Sequence, residues 1–248
     1  MNEAGQQSLL RFLIELRKRL VVSLLALLVI FCGLFYFAND LYTLLAEPLL
    51  DRLPKGHGLI ATSITAPFMV PCELTMVFSL YLGVPFFLYQ LWAFVAPALY
   101  THERRLIWPL LLISTLLFYA GSIFAYFTVL PMLFNFLTQT APRGVIVSPD
   151  IGLYLDFTLK MLLTFGVIFE VPVLTVVLIW SGITSREKLV KIRPYVIIAA
   201  FIIGMLLAPP DVLSQTLLAV PLWLLFEVGL LAAKFLVPSA RVVPRFPR

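Results

Sequence analysis

Charge is scarce in this chain: Asp, Glu, Lys and Arg together make up 12% of its 248 residues, about half the share usual in a soluble domain. Against that scarcity stand 61% apolar residues and a mean hydropathy of +1.01. A globule of this size cannot hide so much apolar surface in a single core, so the remaining solvent is lipid. Histidine and cysteine are thin as well, two of each. His57 and His102 fall in separate expected loops on opposite sides of the membrane. No H-E-x-x-H, G-x-S-x-G, P-loop or Gly-rich dinucleotide pattern occurs. An enzyme is therefore not expected, and neither is a catalytic residue, a metal site or a cofactor. Cys32 and Cys72 lie in or beside apolar segments and read as small buried hydrophobes, not as a disulfide. No internal repeat divides the chain into two halves with matching interrupted segments, as in many secondary transporters.

What the chain does have is long uncharged runs. Residues 20–39, 74–102 and 106–142 contain no Asp, Glu, Lys or Arg. Each can hold a helix of about 20 residues, the length that crosses about 30 Å of hydrocarbon. With three further segments the reading is an all-α membrane protein of six transmembrane helices. The spans are about 20–39, 74–95, 106–128, 157–181, 194–208 and 212–236. Residues 1–237 form one polytopic domain, and 238–248 a short basic tail. The fifth span, opened by Pro194 and closed by Pro209 and Pro210, gives only about 22 Å of helix. It must thin the bilayer or pack against something that shields the mismatch.

The net charge of +5 does not point to nucleic acid, because the basic residues flank the apolar runs and do not gather on one soluble module. They cluster at Arg17, Lys18 and Arg19, at Arg104 and Arg105, from Arg186 to Arg193, and from Lys234 onward. With six spans these clusters share one side, which the positive-inside rule assigns to the cytoplasm together with both termini.

Several polar residues stand out. Leu9, Leu13, Leu16 and Leu20 form one stripe of a helix that carries Glu15 on another face. Glu15 lies four residues from Arg11 and from Arg19, so its bland reading is a surface ion pair worth about 0.3–0.5 kcal/mol. Glu103 ends a stretch with Trp92, Phe94, Pro97, Leu99 and Tyr100. There the bland reading is a solvated acid beside interfacial aromatics such as Trp92 and Tyr100. Glu170 falls inside the fourth span, where an ionisable group must face a cavity, a polar partner or a helix–helix contact. Gln215 in the sixth span is its partner only if those helices meet.

Five stretches occur in order along the chain: LIELR at 13–17, TAPF at 65–68, residues 90–105, FEVP at 169–172 and PPDVLSQTLLAVP at 209–221. As an ordered set within a six-span frame they resemble the TatC family, the multispanning core of the bacterial twin-arginine translocase. The resemblance implies a cupped, concave bundle with short fifth and sixth helices. It also implies a receptor in the cytoplasmic (inner) membrane for signal peptides with consecutive arginines. Such a receptor assembles with the single-span TatA and TatB, and with further copies of itself, for export of folded proteins on the proton-motive force.

By the same resemblance Glu15, Arg17, Phe94, Leu99, Tyr100 and Glu103 form the signal-peptide site. Two guanidinium forks suit two carboxylates in a way that lysine cannot imitate. Met205 and Gln215 match a polar patch that docks partner helices, although Ala208 stands where relatives commonly carry a hydroxyl. Pro48, Phe68 and Asp211 match outer-side functional positions. Two other classes remain open at this point. A small-molecule or ion transporter would use Glu170 and Gln215 at the midplane, and a scaffold would need neither Glu15 nor Glu103.

Overall fold

The computed structural model describes residues 3–41, 43, 63–99, 107–134, 150–207 and 212–236. Among these, almost every residue is helical. The elements are α1 (Glu3–Phe35), α2 (Ala66–Leu99), α3 (Ile107–Phe124), α4 (Ile151–Ile168), α5 (Val171–Trp180), α6 (Arg186–Lys191), α7 (Arg193–Leu207) and α8 (Val212–Leu236). Five stretches are long and apolar enough to cross a membrane: Leu13–Phe35, Ala66–Phe94, Trp108–Phe134, Ile151–Trp180 and Gln215–Leu236. The sixth apolar helix, α7, has 15 residues, in line with the short fifth span. The following helix, α8, runs for 25 residues and matches the span read at 212–236, although the family resemblance implied a short helix. Nothing in its sequence stops it, because Pro221 inside it is tolerated where neighbouring groups re-satisfy the freed carbonyl.

The chain divides into two compact units, one of Met1–Thr115 with Ser148–Leu155 and one of Leu116–Val147 with Asp156–Arg248. In the first, α1 packs along α2. On its outward side Leu24, Leu28 and Val29 are more than half exposed, which suits a helix whose solvent is lipid. Cys32 is exposed on the same helix, so the expectation of a buried thiol fails there. A helix that packs along one face only leaves the opposite face outward.

Beyond Pro67 in its first turn, α2 contains Pro71, Pro85 and Pro97. Beside the first of these, the Thr75 hydroxyl donates to Pro71 O at 2.7 Å, and Ser79 donates to Thr75 O at 2.7 Å. Trp92 is buried, and its indole N–H donates to Ser114 Oγ of α3 at 3.0 Å. It is a packing residue and not an interfacial belt residue. Trp92→Phe keeps most of the apolar volume and leaves Ser114 without its donor. A loss of about 1 kcal/mol is expected, read as a lowered thermal midpoint of the detergent-solubilised chain.

In the second unit α3 continues through a π-helical turn, Ala125–Val129, before resuming at 130–134. Ala125, Val129, Leu130 and Leu133 pack there with Met161 and Phe165 of α4 and Leu218 of α8. α4 and α5 form one span that breaks at Phe169–Glu170. Pro172, in the first turn of α5, has no N–H to continue the ladder. At the break Glu170 N donates to Val167 O, three residues back. Two residues past the end of α5 stands Gly182, whose φ of 74° is the left-handed conformation that glycine adopts without strain. Ser185 then caps α6 by accepting from Lys188 N.

Two acids and a lysine near or inside apolar spans find opposite charges. Lys160 pairs with Asp156 one turn earlier on α4. Glu227, in the middle of α8, meets Arg193 at the start of α7 at 2.6 Å. That pair ties the short helix to its long neighbour and neutralises an acid that lipid would not tolerate alone.

Candidate functional site

α1 brings Glu15 to the flank of α2. The pairing with Arg19, four residues on, follows from helical spacing. Arg19 Nε and Nη2 donate to Glu15 Oε1 at 3.1 and 2.7 Å. The same guanidinium reaches α2, where Nη1 donates to Gln90 Oε1 at 3.1 Å and Nη2 to Ala93 O at 3.1 Å. Arg19 thus ties two helices together while it orients the carboxylate. A groove of about 570 Å³ opens there, lined by Ile14, Glu15, Lys18, Arg19, Tyr89 and Gln90, with Val22 at its apolar end. Glu15 remains about half exposed, at 47%.

Arg17, by contrast, is exposed on α1 and does not line that groove. Phe94 is half-buried on α2, one residue beyond the carbonyl that Arg19 holds. Leu99 is the last residue of α2, described by its backbone alone. Tyr100 and Glu103 lie outside the described residues, so the convergence of two carboxylates remains an expectation. Pro48 and Asp211 lie outside them too, as does Ala208. Phe68, at the start of α2, is 64% exposed.

In the second unit Glu170 is buried, at 8% exposure, at the α4–α5 break. The Gln215 amide N–H donates to Phe201 O of α7 at 2.9 Å. Gly204 lets the two backbones approach: a Cβ there would stand 3.1 Å from Gln215 O. Among the described residues Gln215 Oε1 accepts no hydrogen bond. Met205 is half exposed, next to Gly204. Gln215 of α8 thus packs against α7 at Phe201 and Gly204, the residue before Met205.

What sequence reasoning missed in the first unit is the contribution of Gln90 and Tyr89 to the Glu15 groove. The available signal was a glutamine in an otherwise uncharged apolar run.

Among the described residues, no group of three or more His, Cys, Asp or Glu side chains is arranged to hold a metal. The spans and the polar groove define the class: a multi-span helical membrane protein with a polar groove at the end of a span. Comparison with known proteins then gives the family. The model of the family described as Sec-independent protein translocase protein (TatC) matches residues 11–221. The Sec-independent protein translocase protein TatC of Escherichia coli (strain K12) is 55% identical over 241 residues, covering 97% of this chain and 93% of that protein. The protein of the same name from Haemophilus influenzae is 53% identical over 238 residues, covering 96% and 93%. A crystal structure of the twin arginine translocase receptor TatC superposes with a TM-score of 0.81 at 39% identity, covering 90% of this chain and 98% of that one. The chain belongs to the TatC family, a protein-transport family and not an enzyme family.

Proposed function

We propose that the chain is the signal-peptide receptor and core subunit of a twin-arginine translocase, binding consecutive arginines at its cytoplasmic face. The observation that carries this reading is the Glu15 groove. A carboxylate is fixed in position by Arg19 at the end of a membrane helix, half exposed, beside an opening large enough for a side chain. Glu103 supplies the second acid, and Phe94, Leu99 and Tyr100 the apolar flank. Arg17 and Lys18 disfavour a merely basic peptide, so attraction is confined to the acids. The receptor resides in the bacterial cytoplasmic membrane with both termini inside, as the clustering of Lys and Arg supports.

A crosslinking scan from residues 15–19 and 94–105 tests this, with a twin-arginine peptide and a twin-lysine control. Crosslinks confined to the twin-arginine peptide are expected. Equal yields with both peptides, or none with either, would reject the receptor role.

TatA-like and TatB-like single-span proteins are the proposed partners, alongside self-association, and they dock on α7 and α8. A helix as short as α7 thins the bilayer beside it. Gln215 offers its unused Oε1 at that edge, where a hydrogen bond between helices is worth about 0.6 kcal/mol or somewhat more. Gln215→Leu keeps the size and removes both amide functions. A clear fall in TatB copurification is expected, and undiminished copurification would remove Gln215 from the interface.

A further inference from the structure

The pairing of Glu15 with Arg19 is lopsided. A guanidinium fork and a carboxylate normally meet through two parallel bonds, one to each oxygen. Here Arg19 directs both Nε and Nη2 at Oε1. Among the described residues Oε2 accepts no hydrogen bond. Meanwhile Arg19 has seats that do not involve Glu15: Gln90 Oε1 at 3.1 Å, Ala93 O at 3.1 Å and, more distantly, Gln90 O at 3.5 Å. Its side chain is only 23% exposed. If Glu15 were taken from it, Arg19 would stay on α2 with neutral oxygens around it.

We infer that Arg19 is a specificity-determining residue, a resident guanidinium that an incoming arginine displaces from Glu15. This rests on the receptor reading above and adds to it how arginine is told from lysine. An incoming guanidinium brings a planar fork and forms with both carboxylate oxygens the two-bond geometry that Arg19 does not reach. The exchange is guanidinium for guanidinium, and the displaced one keeps its seats on Gln90 and Ala93. A lysine ammonium is a compact, strongly hydrated point charge without a fork. It can approach Oε2 only while Arg19 holds Oε1, and Lys18, which lines the same groove, adds a second repelling charge. Arg19 therefore weakens every cation at Glu15 but weakens lysine more, which is selection by an element that excludes the wrong ligand.

The test uses the full chain in membrane vesicles with its partner subunits. Photoreactive twin-arginine and twin-lysine signal peptides are titrated in separate arms against Arg19→Gln and Gln90→Glu. Arg19→Gln removes the competitor. Gln90→Glu gives Arg19 a carboxylate of its own on α2 and so frees Glu15 without deleting the cation, which keeps the inference testable if Arg19→Gln fails to insert. In both variants the preference for twin-arginine over twin-lysine is expected to shrink, by about tenfold in Arg19→Gln, through gained twin-lysine binding. A preference unchanged in a variant that inserts, or equal losses for both peptides as a purely structural tie would give, overturns the role of Arg19 alone. A wild-type chain that prefers neither peptide overturns the receptor reading and this inference with it.

Discussion

Glu15→Gln is expected to lower the crosslinking of a twin-arginine peptide by about tenfold and to reduce export accordingly, with membrane insertion unchanged. Glutamine has the same shape and keeps one acceptor oxygen, so the change isolates the charge. A hydrogen bond to a charged group is worth about 1.5–3 kcal/mol, or ten- to a hundredfold in binding. Glu15 is 47% exposed, so solvent screening moves the expectation to the lower end. The loss has a second part: Arg19 stays on Gln90 and Ala93 with its charge no longer neutralised, and it repels the incoming arginine. Glu103→Gln is expected to abolish export by the same chemistry at the second guanidinium. If both acids grip one peptide, as proposed, their effects couple, and the double variant should lose less than the product of the single losses. Immunoblots of membrane fractions check insertion, and crosslink yield reads binding. Wild-type yield from either single variant would remove that acid from the site.

The spans were legible because lipid imposes a simple rule: uncharged runs of the right length must become helices. The shortness of α7 was legible for a similar reason, since Pro194 lies at its start and Pro209 and Pro210 follow its end at Leu207. The length of α8 was legible too, as the span 212–236; only the family resemblance implied a short helix, and its own residues contain no stop. The break at Glu170 had a local signal in Pro172. Glu170 drew attention as a charge, and its position as the residue just before a proline-initiated helix was overlooked. The π-helical turn at Ala125–Val129 has no such signal, because its apolar residues suit an ordinary helix equally well.

The site divides in the same way. The Glu15–Arg19 pair follows from spacing within one helix. The bonds from Arg19 to Gln90 and Ala93 join residues more than seventy positions apart, and only the packing of α1 on α2 brings them together. Trp92 fell to the same cause. An aromatic near a loop reads as an interfacial anchor until Ser114 on another helix supplies a buried acceptor.

Gly121→Ala is expected to be among the most destabilising single-methyl changes in the chain. A Cβ at that position would stand 2.4 Å from Phe165 O and 2.7 Å from Phe169 Cγ. The first obstacle is backbone and cannot rotate away, so α3 and α4 must separate. Separation loosens what the close approach allows: the Ser122 hydroxyl on Leu162 O at 3.3 Å, and the Phe124 ring against Phe165 and Phe169 with centroids 6.0 and 5.7 Å away. In lipid, where apolar surface gains little by leaving the solvent, such close packing is the main attraction between helices. Overpacking of this kind costs about 1–3 kcal/mol, opposed by the roughly 1 kcal/mol that alanine gains over glycine in a helix. Gly33 on α1 isolates the second effect, because a Cβ there meets nothing within 4 Å. Gly33→Ala should hold or raise the thermal midpoint of the detergent-solubilised chain, while Gly121→Ala lowers it. Equal midpoints for the two variants would mean that α3 and α4 part at little cost, and that their packing at Gly121 contributes little to stability.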